Sequence, residues 1–398
     1  MSSGWSSIRS ADGSNARVRI AIDYSAAVNQ RAGVGRLVRN QVLALAEFDQ
    51  VNDYRLVYAR PNRGSTPQFP PARNFARREV GIRERWLTIM WHRAKVPLPA
   101  DWLSGPVDLY HSPDFVLPPL QHARGILTVH DLAFLMRPEC ADRRLRGYLE
   151  EVVPRSVRRA DFIIADSENT RNDLVVLLGV QPASIAVVPG GVEQRFAPVT
   201  DAELLRQARR QLGVGDAPFV LAIGVIEPRK NLNRLMDAFF ALKSRGGVSA
   251  DLKLVLAGGK GWLFDGIFEH HAASPVRRDI LLPGFVPDEQ LPAIYSAAEV
   301  LAFPSLYEGF GLPILEAMSC GTPVVASRAS CLPEVAEGAA LMVEPTNVDG
   351  LCSALELALT DSALRSRLIA QGRQRASEYT WRGAAEQLLE VYRRVAAA

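Results

Sequence analysis

The sequence predicts an α/β fold of two doubly wound, Rossmann-like domains facing each other across a cleft, and three observations carry that prediction. At 398 residues the chain exceeds one ordinary hydrophobic core. Short apolar runs of strand length alternate with segments of helical periodicity, the pattern of a mostly parallel sheet covered by helices. The alternation breaks off near Pro189 and restarts at Phe219, which makes Pro189 to Pro198 the linker between a first domain over 17–192 and a second over 193–380. Residues 1–16, rich in Ser, Gly and Asn, read as a disordered tail.

In the first half, strands are expected at Val18 to Asp23, Tyr54 to Tyr58, Leu109-Tyr110, Gly125 to Val129 and Phe162 to Ala165. Each is an apolar run too short for a helix. In the second half they are expected at Phe219 to Gly224, Leu252 to Ala257, Ile280 to Leu282, Glu299 to Phe303 and Thr322 to Ala326. Between Phe219 and Leu252, Asn231 is placed to cap a helix whose apolar residues Leu232, Leu235, Ala238 and Phe239 recur at helical spacing.

Composition removes several classes of function. Lys and Arg number 46 against 43 Asp and Glu, a formal net charge of +3, so no general polyanion-binding role is implied. Cys140, Cys320, Cys331 and Cys352 show neither metal-ligand nor redox spacing and read as reduced residues of a cytoplasmic protein. The sequence has neither an apolar run of membrane-spanning length nor a charged-then-apolar signal pattern at its start.

The densest chemistry lies in Glu308-Gly309-Phe310-Gly311-Leu312-Pro313-Ile314-Leu315-Glu316. A strand feeds a loop with two glycines, and a helix then opens with a proline. Amides freed at Gly309 and Gly311 and the helix N-terminus suit an anion, and the two glutamates can accept hydrogen bonds from hydroxyls. Phosphate at the amides and sugar hydroxyls at the carboxylates would suit a sugar nucleotide. The plainer alternative is a surface loop with an acidic residue favourably near a helix start. Upstream, Val225-Ile226-Glu227-Pro228-Arg229-Lys230 sets a basic pair at the carboxyl end of another strand, where ligands of open parallel sheets bind. Solvated surface charge is the alternative there, and a diphosphate clamp the better reading, because two cations offset the charge building on a departing diphosphate.

Two further loops belong to the first half. Arg31-Ala32-Gly33-Val34-Gly35-Arg36 follows the first strand, and its glycines serve either close approach to a ligand or a tight turn. His130 follows the strand Ile126-Leu127-Thr128-Val129, and His111 has a similar setting in Leu109-Tyr110-His111-Ser112-Pro113. A lone histidine is often a buried structural residue, and the strand-end position favours a functional reading.

The stretches Gly224 to Asn231 and Pro304 to Ser327 resemble the C-terminal domain of the retaining family four glycosyltransferases, whose hallmark is two glutamates separated by seven residues. Val188-Pro189-Gly190-Gly191-Val192 resembles the hinge that opens that domain, and Pro283-Gly284-Phe285-Val286-Pro287 its nucleobase loop. The resemblance covers nearly the whole chain. It implies a GT-B architecture whose last helix, about 381–398, crosses back to the first domain. It also implies a donor site built from Gly33, Gly35, Val286, Gly309, Phe310, Gly311, Leu312 and Glu316, with His130, Arg229, Lys230 and Glu308 in catalysis; His111, by its own strand-end setting, is expected to line the acceptor pocket. Within the resemblance, Glu316 takes the ribose, Glu308 the transferred sugar, and His130 a hydroxyl near the sugar ring.

No Asp-any-Asp cluster stands at a suitable strand end, so Arg229 and Lys230 are expected to replace a metal. A glycosidase pair at Glu308 and Glu316 is disfavoured, since one lies on a loop, the other a turn into a helix, and the phosphate loops would be superfluous. Ala76 to Leu103 interleaves Arg77, Arg78, Arg83, Arg85, Arg93 and Lys95 with Trp86, Trp91 and Trp102. That stretch suits an anionic membrane surface, a stacking platform for an oligosaccharide, or solvated charge over core tryptophans. The expectation is a metal-independent retaining enzyme moving a hexose, foremost mannose from GDP-mannose, to a saccharide or lipid-linked acceptor. A glucosyl- or rhamnosyltransferase of the same fold and a non-catalytic sugar-nucleotide binder are the alternatives.

Overall fold

The structure is a computed structural model in which residues 17–30, 33–62 and 67–398 are described. The expected tail over 1–16 lies outside them, as do Arg31 and Ala32. The first sheet contains β1 (Arg19–Asp23), β2 (Asp53–Tyr58), β3 (Phe75–Glu79), β4 (Leu109–Ser112), β5 (Arg124–Val129), β6 (Phe162–Ala165) and β7 (Ile185–Val187) in the order β3-β2-β1-β4-β5-β6-β7. The second contains β8 (Phe219–Ile223), β9 (Lys253–Ala257), β10 (Ile280–Gly284), β11 (Val300–Phe303), β12 (Val324–Ser327) and β13 (Leu341–Val343) in the order β10-β9-β8-β11-β12-β13. All pairings between these strands are parallel. The strand order reverses between β1 and β4 and between β8 and β11, so each sheet has a topological switch point at its carboxyl edge.

The central strands bury both faces, as parallel strands between helical layers must. Ile20, Ile22 and Leu56 share one core with Val38, Val42 and Leu45 of the helix Val34–Phe48, while Ala21, Leu127 and Ile163 face a second core on the opposite side. The helix Trp381–Ala397 packs Leu388, Tyr392 and Val395 into the first of these, so the end of the chain lies against the N-terminal sheet. The chain thus passes between the domains twice, and the crossings touch. Val192 N–H donates to the Tyr379 carbonyl at 3.0 Å, and a parallel bridge joins Val192 to Thr380. A Cβ on Gly191 would stand 2.3 Å from the amide nitrogen of Trp381, so only glycine admits this approach.

Three strands went unread in the sequence, namely β3, β7 and β13. Only Phe75 of β3 is buried, its other residues being exposed on an edge strand, and β7 and β13 have three residues each. One capping assignment is corrected. Asn231 has left-handed backbone angles, φ 58° and ψ 34°, and makes no side-chain cap. Its side-chain amide instead donates to the carbonyls of Pro304 and Pro345 at 3.0 and 2.7 Å, tying the β8 turn to the loops after β11 and β13.

Candidate functional site

The cleft between the two carboxyl edges encloses about 400 Å³, within the range of small-molecule sites. His130, Asp131 and Asp166 line it from the first domain, and Arg229, Lys230, Glu308 to Leu312 and Glu316 from the second. The second-domain groups come from the turns after β8 and β11, hydrogen-bonded neighbours at that sheet's switch point.

Glu308 accepts from Arg229 Nη1 at 2.8 Å and from Lys230 Nζ at 2.6 Å. Burial opposes the charge on Glu308, but the two cations outweigh it and hold its carboxyl down to about 2. The Arg229 guanidinium also donates to Glu227 Oε1 and to the Tyr307 carbonyl, each at 3.0 Å. Burial likewise disfavours its charge, and Glu308, Asp131 and Glu227 overcome that, holding Arg229 above its ordinary value. Glu227 itself is pushed up by burial despite Arg229. Both cations are therefore fixed in place with their charge shared among carboxylates, preorganised for an anion. Cys331 Sγ lies 3.1 Å and 3.0 Å from the carbonyls of Glu308 and Phe310, and Ser330 Oγ accepts from Glu308 N–H at 2.8 Å, which fixes the glutamate loop.

The helix Leu312–Ser319 starts at this loop, with Gly311 at its N-cap and Pro313 in its first turn. Glu316 projects from that helix and accepts from the Tyr295 hydroxyl at 2.9 Å. It also pairs with Arg36 of the first domain, which lies 3.3 Å from Glu193 and 3.9 Å from Asp288. Val286 lines the cleft near this end, and the Phe310 ring turns into the core against Tyr379 with ring centres 5.6 Å apart. Gly309 sits where the domains meet, since a Cβ there would be 2.3 Å from the His130 carbonyl oxygen.

His130 is buried at the end of β5. Its Nδ1 lies 2.8 Å from Asp166 Oδ2 and its Nε2 2.9 Å from the Pro113 carbonyl. Both partners only accept, so both ring nitrogens carry protons. Burial disfavours that charge, and Asp166 overcomes it, raising the ring to about 9. With both nitrogens engaged, the imidazolium presents charge to the cleft rather than a free hydrogen-bonding atom.

Two residues expected at the site stand elsewhere. β4 runs on to Ser112, so His111 lies inside the strand rather than after it. It is buried between Tyr392 Oη and Thr128 Oγ1, each 2.8 Å from a ring nitrogen, and does not line the cleft. Gly33 lines the cleft as N-cap of the helix Val34–Phe48, but Gly35 does not. A Cβ on Gly35 would meet the Gln30 carbonyl at 2.2 Å, so it serves helix packing instead. Of the tryptophans between 76 and 103, Trp91 is 7% exposed and donates to the Leu98 carbonyl at 2.8 Å, whereas Trp86 and Trp102 are 54% and 57% exposed. Arg36, Asp166 and Tyr295 were missed. Asp166 carried a readable signal, because it follows β6 as His130 follows β5.

Comparison with known proteins agrees with this architecture. Residues 31–196 match the family described as Glycosyltransferase Family 4, and residues 206–375 the family Glycosyl transferases group 1. The O-antigen chain mannosyltransferase B of Escherichia coli is 30% identical over 91% of this chain and 96% of its own. A D-inositol 3-phosphate glycosyltransferase of Salinispora arenicola is 33% identical over 75% of this chain and 68% of its own. Among solved structures, sucrose-phosphate synthase from Thermosynechococcus elongatus superposes with a TM-score of 0.74 at 22% identity, covering 96% of this chain and 100% of that one. HepE of Anabaena in complex with UDP and glucose gives 0.68 at 17% identity, covering 94% and 99%. The chain belongs to the GT-B family four glycosyltransferases and is close to the bacterial mannosyltransferases.

Proposed function

We propose that this glycosyltransferase moves an α-mannosyl group from GDP-mannose to a hydroxyl of a saccharide or lipid-linked acceptor, with retention of configuration and without a metal. The observation that carries the reading is the pairing of Arg229 and Lys230 with Glu308 beside the start of the helix Leu312–Ser319. Cations, loop amides and a carboxylate there suit a diphosphate joined to a sugar. The mannose assignment rests on the likeness to the E. coli O-antigen mannosyltransferase.

In this reading the diphosphate lies on Arg229, Lys230 and the amides around Gly311, and the ribose on Glu316. The bond from the anomeric carbon to the diphosphate breaks as the acceptor oxygen bonds to that carbon from the same face. A phosphate oxygen takes the acceptor proton, leaving GDP and an α-glycoside. The two cations stabilise the charge that accumulates on the diphosphate, and the His130 imidazolium adds positive charge at the cleft wall.

Among the described residues no helix is long and apolar enough to cross a membrane. We infer a cytoplasmic enzyme resting on an anionic inner membrane face. Trp86 and Trp102 with the exposed Arg83, Arg85, Arg93 and Lys95 are the supporting residues. Incubation with GDP-mannose and UDP-glucose in turn, followed by proton NMR of the new anomeric centre, tests donor and stereochemistry together. Transfer from UDP-glucose alone removes the donor assignment, and a β-mannoside from GDP-mannose removes the retaining mechanism.

A further inference from the structure

Glu308 is flanked by two residues that touch the first domain. Gly309 lies against the His130 carbonyl, with no room for a Cβ between them. Tyr307 is 4% exposed, and its hydroxyl reaches out of its own domain to donate to Asp173 Oδ2 and to accept from Asn169 Nδ2 at 3.3 Å. Asn169 Nδ2 also donates to Asp173 at 2.9 Å, so the three side chains form a closed triangle. Burial and the Asp173 carboxylate both push the phenol well above its ordinary value, which keeps it a donor.

The receiving element is the helix Glu168–Leu178, whose N-cap Ser167 accepts from Thr170 N–H. Thr170 and Asp173, at i and i+3, share one face of it. Thr170 Oγ1 donates to the His130 carbonyl at 3.0 Å, while Asp166, just ahead of the helix, holds the His130 ring. The helix thus fixes His130 at its start and Tyr307 one turn later. On the second domain, the Tyr307 carbonyl accepts from Arg229 Nη1 at 3.0 Å, so phenol and carbonyl of one residue link this helix to the cation pair. None of Tyr307, Asn169 and Asp173 lines the cleft, and they reach the reaction only through their neighbours.

Simple adhesion between the domains would explain a hydrogen bond anywhere along the seam. Glu334 supplies one, accepting from the Glu168 amide at 3.1 Å, and Trp262 another, donating to the Cys140 carbonyl at 2.6 Å. Tyr307 differs in its place: it adjoins Glu308 and meets the helix that holds His130. We propose that Tyr307 and Asp173 are positioning residues for transfer, and that the helix Glu168–Leu178 is the gauge that sets Glu308 and its two cations at a fixed distance from His130. Groups carried on separate domains must be brought into register before they act together, and a displacement of about 1 Å can cost about 10²-fold in rate. The proposal rests on the reading that Arg229, Lys230 and Glu308 carry the donor.

Tyr307→Phe removes the hydroxyl and keeps both ring and carbonyl, and Asp173→Ala removes its acceptor. Release of GDP or UDP is followed with octyl α-mannoside as acceptor and whichever of GDP-mannose and UDP-glucose the wild type consumes. In each variant kcat should fall about tenfold, the loss of one hydrogen bond to a charged group. The double variant should be slower by the same factor and not by its square, because both changes remove one contact. Affinity for the free nucleotide, measured by calorimetry, should hold in all three, since the groups assigned to the diphosphate stay on the second domain. Wild-type kcat in Tyr307→Phe overturns the proposal, as does a double variant slowed by the product of the two single losses. A loss confined to nucleotide affinity, with kcat intact, overturns it as well. Wild-type protein that binds neither GDP nor UDP removes the donor reading itself, and the proposal falls with it.

Discussion

Arg36 of the first domain forms an ion pair with Glu316 of the second, on the carboxylate assigned above to the donor ribose. Arg36 is reached by Glu193 and Asp288 as well, so three carboxylates of the far side converge on one guanidinium. The Tyr295 hydroxyl donates to Glu316 as well, at 2.9 Å. This pair therefore ties the two domains together at the mouth of the cleft.

A double-mutant cycle with Arg36→Ala and Glu316→Ala measures the tie. Thermal or denaturant unfolding should give a coupling energy of about 0.5–3 kcal/mol, as for contacting groups in one network. A coupling indistinguishable from zero would mean that the pair holds nothing.

Arg229→Ala and Lys230→Ala should each lower turnover about 10²-fold or more, the effect of losing one preorganised charge contact. Their stabilities should differ. Without Arg229, buried Glu227 loses its guanidinium partner and Glu308 keeps only Lys230, a loss of about 3 kcal/mol. Without Lys230, Glu308 retains Arg229 and the protein loses less. Urea midpoints of the two variants compare them, and equal midpoints would contradict this ordering.

The pair of His130 and Asp166 predicts a pH dependence. The ring is raised from 6.5 to about 9 in the folded protein, so its stabilising contribution is complete below 6.5 and is lost as pH rises through 9. Asp166→Asn should therefore lower the melting temperature most at about pH 6, with the gap to wild type closing toward about pH 10. A gap of constant size across that range would show that Asp166 does not charge the ring.

Transfer activity should survive excess EDTA if, as proposed, Arg229 and Lys230, which line the cleft, take the place of a cation at the diphosphate. Loss of activity in chelator with recovery on adding Mg²⁺ or Mn²⁺ is the contrary result.

Replacing the exposed Trp86 and Trp102 together by Ser should reduce cosedimentation with vesicles containing anionic lipid, and turnover of a water-soluble acceptor should change little. Undiminished vesicle binding would show that these indoles are not the contact.

How far the sequence could be read depended on whether a residue's environment is local. The strands at Phe162 to Ala165 and Val300 to Phe303 are buried apolar runs between loops, and both were legible. β3 reads Phe-Ala-Arg-Arg-Glu, a sequence that joins the sheet only because an edge leaves its arginines in solvent. The end of β4 was hidden by two buried polar residues: His111, which meets Tyr392 from far along the chain, and Ser112, which donates to the Val116 carbonyl. In the cleft, Glu308, Arg229 and Lys230 could be found because each stands beside a strand end and a helix start. Arg36 lay next to the glycines that drew attention, yet nothing nearby in sequence foretold its partners in the other domain. His130 was located by its strand, but its charge depends on Asp166, a contact that only β5 and β6 lying side by side can supply.

The bridge of Val192 to Thr380 has a mechanical consequence. Two separate tethers at a distance from each other would resist rotation and permit little more than a slide. Here the two crossings are bonded side by side and Gly191 lies flush against Trp381, so the halves share a single axle. Any swing that widens the mouth at Arg36 must turn about that axle. A side chain placed at 191 would act as a wedge in the bearing, since its first carbon already meets the backbone of the other crossing.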